Sequence, residues 1–161
     1  MTVLCVGCGA LPEGDVNVDV YPLHHSRRSC TWNRKETLNF TLADSHKLPY
    51  RDGEFSEVKA RHCLEHMHTP LEALREMRRV CTGKVKVWIP SQWRKDYSPE
   101  HLYAWSPIEL ANLMRKAGLA NVKTGYTNHA LKYASVKTTL FNFIVKLFGF
   151  YSEIYGEGTK W

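Results

Sequence analysis

The chain is 161 residues long, with 43% hydrophobic residues, 24% charged residues and a formal net charge of +6. That length suits one domain with its own core, and the composition excludes a disordered chain. No apolar run reaches the ~18–20 residues of a membrane-spanning helix.

The charge is uneven. Residues 1–80 carry eleven basic and eleven acidic side chains, whereas residues 81–161 carry eleven and five. An anionic partner facing the later half is the expectation. The start, Met1-Thr2-Val3-Leu4, shows no basic leader, so no signal peptide is expected. Five cysteines, odd in number and within apparent core segments, suggest reduced thiols in a cytoplasmic protein.

In chain order, Val3 to Val6 reads as a buried strand breaking at Gly7-Cys8-Gly9. Val16 to Val20 alternates and is rich in valine, a second strand. Residues 22–37 are polar and basic and read as a loop or lid. Leu38 to Leu42 and Phe55 to Ala60 read as a third and a fourth strand. Thr69-Pro70-Leu71-Glu72 and Ser106-Pro107-Ile108-Glu109 each carry the signature of a capping box opening a helix. Between those helices Lys84 to Ile89 alternates as a fifth strand. Val122 to Tyr126 forms a sixth and His129 to Ala134 a seventh. Val136 to Tyr151 places apolar residues at helical spacing, wide enough for a core helix or a homodimer face. Gly156 to Trp161 reads as a mobile tail. Strands alternating with capped helices predict an α/β, Rossmann-like, mostly parallel sheet of about six to seven strands. The expected organisation is a single domain over 1–161. Residues 1–80 form its cofactor-binding half, 81–135 its substrate-side half, 136–151 an apolar helix and 152–161 a tail.

In such a sheet, ligands bind beyond the carboxyl ends of the strands. Gly7, Cys8 and Gly9 lie there, where a backbone without Cβ allows close approach. A dinucleotide would need a glycine where Pro12 stands and a helix to hold its pyrophosphate. Only the eight residues Cys8 to Asp15 separate the first two strands, too few for that helix. A nucleoside without phosphate, such as S-adenosylmethionine, has no need of it. Asp19 ends the second strand, where a carboxylate accepts from ribose hydroxyls, and Asp44 ends the third, where it can accept from an adenine amine. Singly these are ordinary turns and caps; in this order they mark one crevice.

These residues, with Val3 to Gly9, Asn17-Val18-Asp19, Ala43 to Tyr50, Asp52 to Phe55, His62 to His66 and Leu74 to Val80, resemble a class I S-adenosylmethionine-dependent methyltransferase of the small-molecule type. The likeness runs over roughly residues 3–126. It is nearest a short subgroup with a loop in place of the first helix and a minimal N-terminus. The resemblance implies cofactor contacts from Gly7, Cys8, Gly9, Asp19, Val20, Asp44, Ser45 and His62, with S-adenosylhomocysteine as product. It also implies that His62 ends the fourth strand beside the sulfonium. There it is a candidate general base for an acceptor hydroxyl or amine, or else it only lines the pocket. Trp93, Arg94, His101 and Tyr103 are the candidate substrate-side residues, since aromatics and cations suit a sugar or an acidic group.

His62-Cys63-Leu64-Glu65-His66 also matches the zinc-peptidase pattern H-x-x-E-H. It follows a buried strand and has no obvious third ligand downstream, so no metal is expected. The expected activity is methyl transfer to a small acceptor, anionic or a glycan precursor. The charge permits a nucleic-acid substrate, but no base-methylating tetrad follows the fourth strand. A binding protein that keeps the fold without activity is the third reading.

Overall fold

A computed structural model describes residues 2–9, 12–21, 39–92, 99–127 and 153–160. Seven strands form one sheet: β1 (Val3–Val6), β2 (Val16–Asp19), β3 (Phe40–Leu42), β4 (Phe55–Arg61), β5 (Cys81–Pro90), β6 (Ala120–Thr127) and β7 (Glu153–Thr159). Their order is β3-β2-β1-β4-β5-β7-β6. The pairs β3–β2, β2–β1, β1–β4 and β4–β5 are parallel, and β7 runs antiparallel to both β5 and β6. Two α-helices, α1 (Pro70–Val80) and α2 (Pro107–Lys116), and a single 3-10 turn, Leu64–His66, complete the described elements.

The parallel strands alternate, and one face of the sheet carries the core, while Glu57, Lys59, Lys84 and Lys86 on the other face are not buried. Leu4, Val6, Val58, Ala60, Val85, Val87 and Ile89 are all fully buried. Helix α1 turns Ala73, Leu74, Met77 and Val80 into this core at helical spacing. Helix α2 contributes Leu110 and Met114, which meet Ile154 of β7 in the same cluster.

The two helix starts, alike in sequence, differ in structure. At α2 the Ser106 hydroxyl accepts from the Glu109 amide while the Glu109 carboxylate accepts from the Ser106 amide, a complete capping box. At α1 no such box forms: Thr69 makes no side-chain cap. Its ψ of 68° departs from the extended geometry a capping residue uses. The Thr69 carbonyl instead accepts from Glu72 and Ala73.

The larger correction concerns the end of the chain. Glu153 to Thr159, read as tail, forms an interior strand of the sheet, paired on both sides. Its glycines misled the reading. A Cβ on Gly156 would come within 2.8 Å of both Leu110 Cδ2 and Met114 Sδ, so glycine is the residue that lets α2 lie close on the sheet. The strand expected at 129–134 and the apolar helix expected at 136–151 lie outside the described residues, as does the basic loop at 22–37. No helix among the described residues is long and apolar enough to cross a membrane.

Candidate active site

Strand order reverses around β1, which has β2 on one side and β4 on the other. This is the position where an open parallel sheet leaves a crevice beyond its carboxyl ends. Gly7 ends β1 with φ +62°, and the chain turns back so that the amides of Gly7 and Cys8 donate to the Val18 carbonyl at 2.8 and 3.2 Å. A Cβ on Gly7 would lie 2.5 Å from Cys63 Cβ, so both backbone and space demand glycine. Gly9 (φ +52°) donates its amide to Asp19 Oδ2 at 2.9 Å. Asp19 Oδ1 accepts from the Tyr21 amide at 2.9 Å. The carboxylate that ends β2 thus pins the glycine turn and its own following loop.

The resulting cleft, about 610 Å³, is lined by Gly7, Gly9, Asp19, Val20, Asp44, Ser45 and His62. Seven of the eight residues expected to hold the cofactor therefore come together from β1, β2, β3 and β4. Cys8 is the exception: its side chain is buried and is not among the lining residues. Asp44 is fixed by its neighbour, since its Oδ1 accepts from the His46 amide at 2.9 Å and meets His46 Nδ1 at 2.6 Å. The His46 amide is the main cause that holds the Asp44 carboxyl below its ordinary range.

His62 sits at the end of β4 with φ +48°, a left-handed conformation uncommon outside glycine. The turn swings its ring between two carboxylates. Nε2 lies 2.8 Å from Glu153 Oε1 and Nδ1 lies 3.4 Å from Glu65 Oε1. Burial pulls the imidazole down, but Glu153 and Glu65 outweigh it and push it up to about 9. A ring that keeps its proton at neutrality donates hydrogen bonds. Of the two roles left open to it in the sequence, pocket lining needs no free imidazole, whereas a general base does.

Of the expected substrate-side residues, Trp93 and Arg94 lie outside the described residues. His101 packs edge-on against His66, ring centroids 4.8 Å apart. Tyr103 is not on the wall of the cleft. Its hydroxyl donates to the His68 carbonyl at 2.9 Å and its ring leans on Trp105, beside a second, shallower groove that continues to Glu109 and Leu113.

The sequence reading did not anticipate Tyr21, His46, His66, Met67, His68, Glu100 and Leu102 on the cleft wall. Tyr21 and His46 stand two residues beyond Asp19 and Asp44, a spacing that could have flagged them. Glu153 gave no local signal, because it reaches His62 only through the placement of β7.

Known proteins resemble this chain in sequence and in fold. A family model described as a methyltransferase domain matches residues 4–89. Ajmaline N-methyltransferase of Rauvolfia serpentina is 36% identical over 81 residues, which are 50% of this chain and 27% of that protein. The chain thus matches about a quarter of that curated relative's length. In fold, the chain is similar to an S-adenosylmethionine-dependent methyltransferase from Thermotoga maritima (TM-score 0.70, 18% identity, covering 99% of this chain and 82% of that one). It is also similar to phosphoethanolamine N-methyltransferase 2 of Haemonchus contortus, solved with S-adenosylmethionine (TM-score 0.64, 11% identity, covering 98% and 48%). With more than half of its length matched by the family model, on a sheet whose switch point carries the glycine turn and the strand-end carboxylates, the chain belongs to the methyltransferase domain family, of the class I, S-adenosylmethionine-dependent kind.

Proposed function

We propose that this chain transfers a methyl group from S-adenosylmethionine to a small-molecule acceptor, leaving S-adenosylhomocysteine. The observation that carries this reading is the convergence of Gly7, Gly9, Asp19, Asp44 and His62 on one cleft at the switch point of the sheet. The residues fit the cofactor's chemistry. Val20 and Tyr21, 57% and 43% exposed, line the cleft beside the two aspartates and offer apolar surface to an adenosine.

When bound, the cofactor supplies a methyl group on a cationic sulfur that is a good leaving group. The chain's part is then positioning: an in-line displacement gains most from an acceptor held at contact distance in the correct orientation. Gly7 and Gly9 admit the ligand close to the backbone. Asp19 and Asp44 offer acceptors to its ribose and base. His62, held protonated between Glu153 and Glu65, lines the reacting end as a donor. Histidines 46, 62, 66 and 68 line the same cleft. They favour an acceptor with oxygen or nitrogen donors, an anionic compound or a glycan precursor among them. None of the described residues of the cleft favours a nucleic-acid acceptor. The buried free thiols of Cys5, Cys8, Cys63 and Cys81 are consistent with a cytoplasmic setting.

Calorimetry with S-adenosylhomocysteine tests the reading. Micromolar binding is expected, weakened at least about tenfold, or ~1.4 kcal/mol, in Asp44→Ala. No heat at millimolar ligand would overturn it.

A further inference from the structure

Beside the cleft, Glu65 is completely buried, and neither of its carboxylate oxygens has a hydrogen-bond partner. A buried carboxylate without hydrogen bonds is costly, and the His62 ring, shared with Glu153, approaches only one of its two oxygens. Three groups face it. His62 Nδ1 approaches Oε1 at 3.4 Å, outside hydrogen-bond geometry. His66 Nε2 approaches the same oxygen at 3.9 Å. His101 completes the group: one ligand atom each from Glu65, His66 and His101 lie within 4.8 Å of one another.

The surroundings of these three residues are organised as metal sites usually are. His66 Nδ1 lies 3.1 Å from the Glu100 carbonyl, which can only accept, so Nδ1 carries a hydrogen and Nε2, the nitrogen on the side of Glu65, is the one available to a metal in the neutral ring. Ligating histidines characteristically donate their other ring N–H to a carbonyl or carboxylate in this way. The Leu102 amide donates to the Glu65 carbonyl at 2.8 Å, which fastens the segment carrying His101 against the turn carrying Glu65 and His66. His66 and Glu100 also line the cleft, which brings one member of the cluster to its wall.

We propose that Glu65, His66 and His101 bind a divalent first-row transition metal at the rim of the crevice. Two imidazole nitrogens and one carboxylate suit zinc, cobalt, manganese or iron in the divalent state, with at least one position left for water or a ligand from the cleft. Metal–ligand bonds of about 2.1 Å would draw the three donor atoms to about 3.4 Å from one another in a tetrahedral arrangement, through small side-chain rotations. The third ligand that the H-x-x-E-H run lacks in sequence comes from the segment before α2. His62, the other histidine of that run, faces Glu153 instead.

Cobalt(II) titration of the whole chain is the test, read in the visible spectrum. One equivalent with ligand-field bands is expected, with affinity falling at least about tenfold in His66→Ala and in His101→Ala. His68→Ala, a change in the same cleft outside the cluster, should titrate like the parent. Absence of binding below millimolar cobalt overturns the proposal. Titration of both cluster variants like the parent does so as well, and so does an equal loss in His68→Ala. Far-UV circular dichroism shows which of the two cluster variants fold, and one that folds suffices to decide the matter. Calorimetry with S-adenosylhomocysteine on the same samples separates the two readings. Cofactor binding without cobalt binding removes the metal site and leaves the methyltransferase.

Discussion

At the scale of single residues, Gly7 is the most constrained position of the cleft. Its positive φ costs an L-residue about 1–2 kcal/mol, and the 2.5 Å approach to Cys63 Cβ forces a shift in a packed core. Gly7→Ala is expected to lose about 2–4 kcal/mol in urea unfolding. Gly9→Ala meets only a carbonyl at 3.9 Å, so its loss should be confined to the conformational part. Away from the cleft, Glu76 accepts from Arg79 and from the Leu48 amide, which ties α1 to the segment after β3. The Arg79 guanidinium is the main cause holding the Glu76 carboxyl below its ordinary 4.5. A carboxyl depressed by folding stabilises the protein above its unfolded value and stops doing so as pH falls through the folded one. Unfolding followed from pH 7 downward should therefore show Glu76→Gln less stable than the parent near neutrality. The difference should shrink below about pH 4.5. A gap that stays constant across that range would assign the loss to shape alone.

At the scale of elements, the paired capping signatures make a controlled comparison. Ser106→Ala removes a formed box and should cost about 1 kcal/mol. Thr69→Ala removes a hydroxyl that caps nothing, so thermal melting should place it near the parent. Strand β7 offers a second contrast. Gly156→Val drives a side chain into Leu110 and Met114 and should cost about 1–3 kcal/mol. Gly125→Val, on the neighbouring β6 with nothing within 4 Å of the added Cβ, should be close to neutral. Equal losses at both positions would mean that strand propensity, not the approach of α2, sets the requirement for glycine. Sequence patterning served where its rules are local. Helix α2, β1 and the strand-end aspartates follow from runs of a few residues. It failed for β7 because Glu-Ile-Tyr-Gly-Glu-Gly-Thr has the composition of a tail, and only the packing of α2 explains the glycines.

For the whole molecule, the uneven charge takes a different meaning from the one first drawn. Lys86 pairs with Glu57 at 2.7 Å and Lys84 approaches Glu157 at 3.9 Å, so part of the later half's positive charge is spent within the sheet. The histidines that line the cleft, His46, His62, His66 and His68, all come from the first half. The cleft itself was largely legible, since glycine turn and carboxylates recur at successive strand ends. The Glu153–His62 contact and the Glu65–His66–His101 cluster were not, because each joins segments that only the completed fold brings together. Strand β7 is the keystone of that completion. Removing 153–161 should leave β5 and β6 without a common partner and abolish a cooperative thermal transition, together with the contact to His62.

That same order has a consequence for the chain as it is made. Strand β5 is synthesised well before β7, and its ladder on that side stays unfilled until β7 has left the ribosome. In the interval β5 is a ten-residue edge, lysine and valine alternating from Lys84 to Val87, open to a neighbouring nascent chain, a common start of misassembly. The final pairing is also the most distant in sequence, and the loop-closure entropy of distant pairings slows folding. Synthesis rate and chaperone supply should therefore govern the yield of this protein more than the stability of its finished sheet.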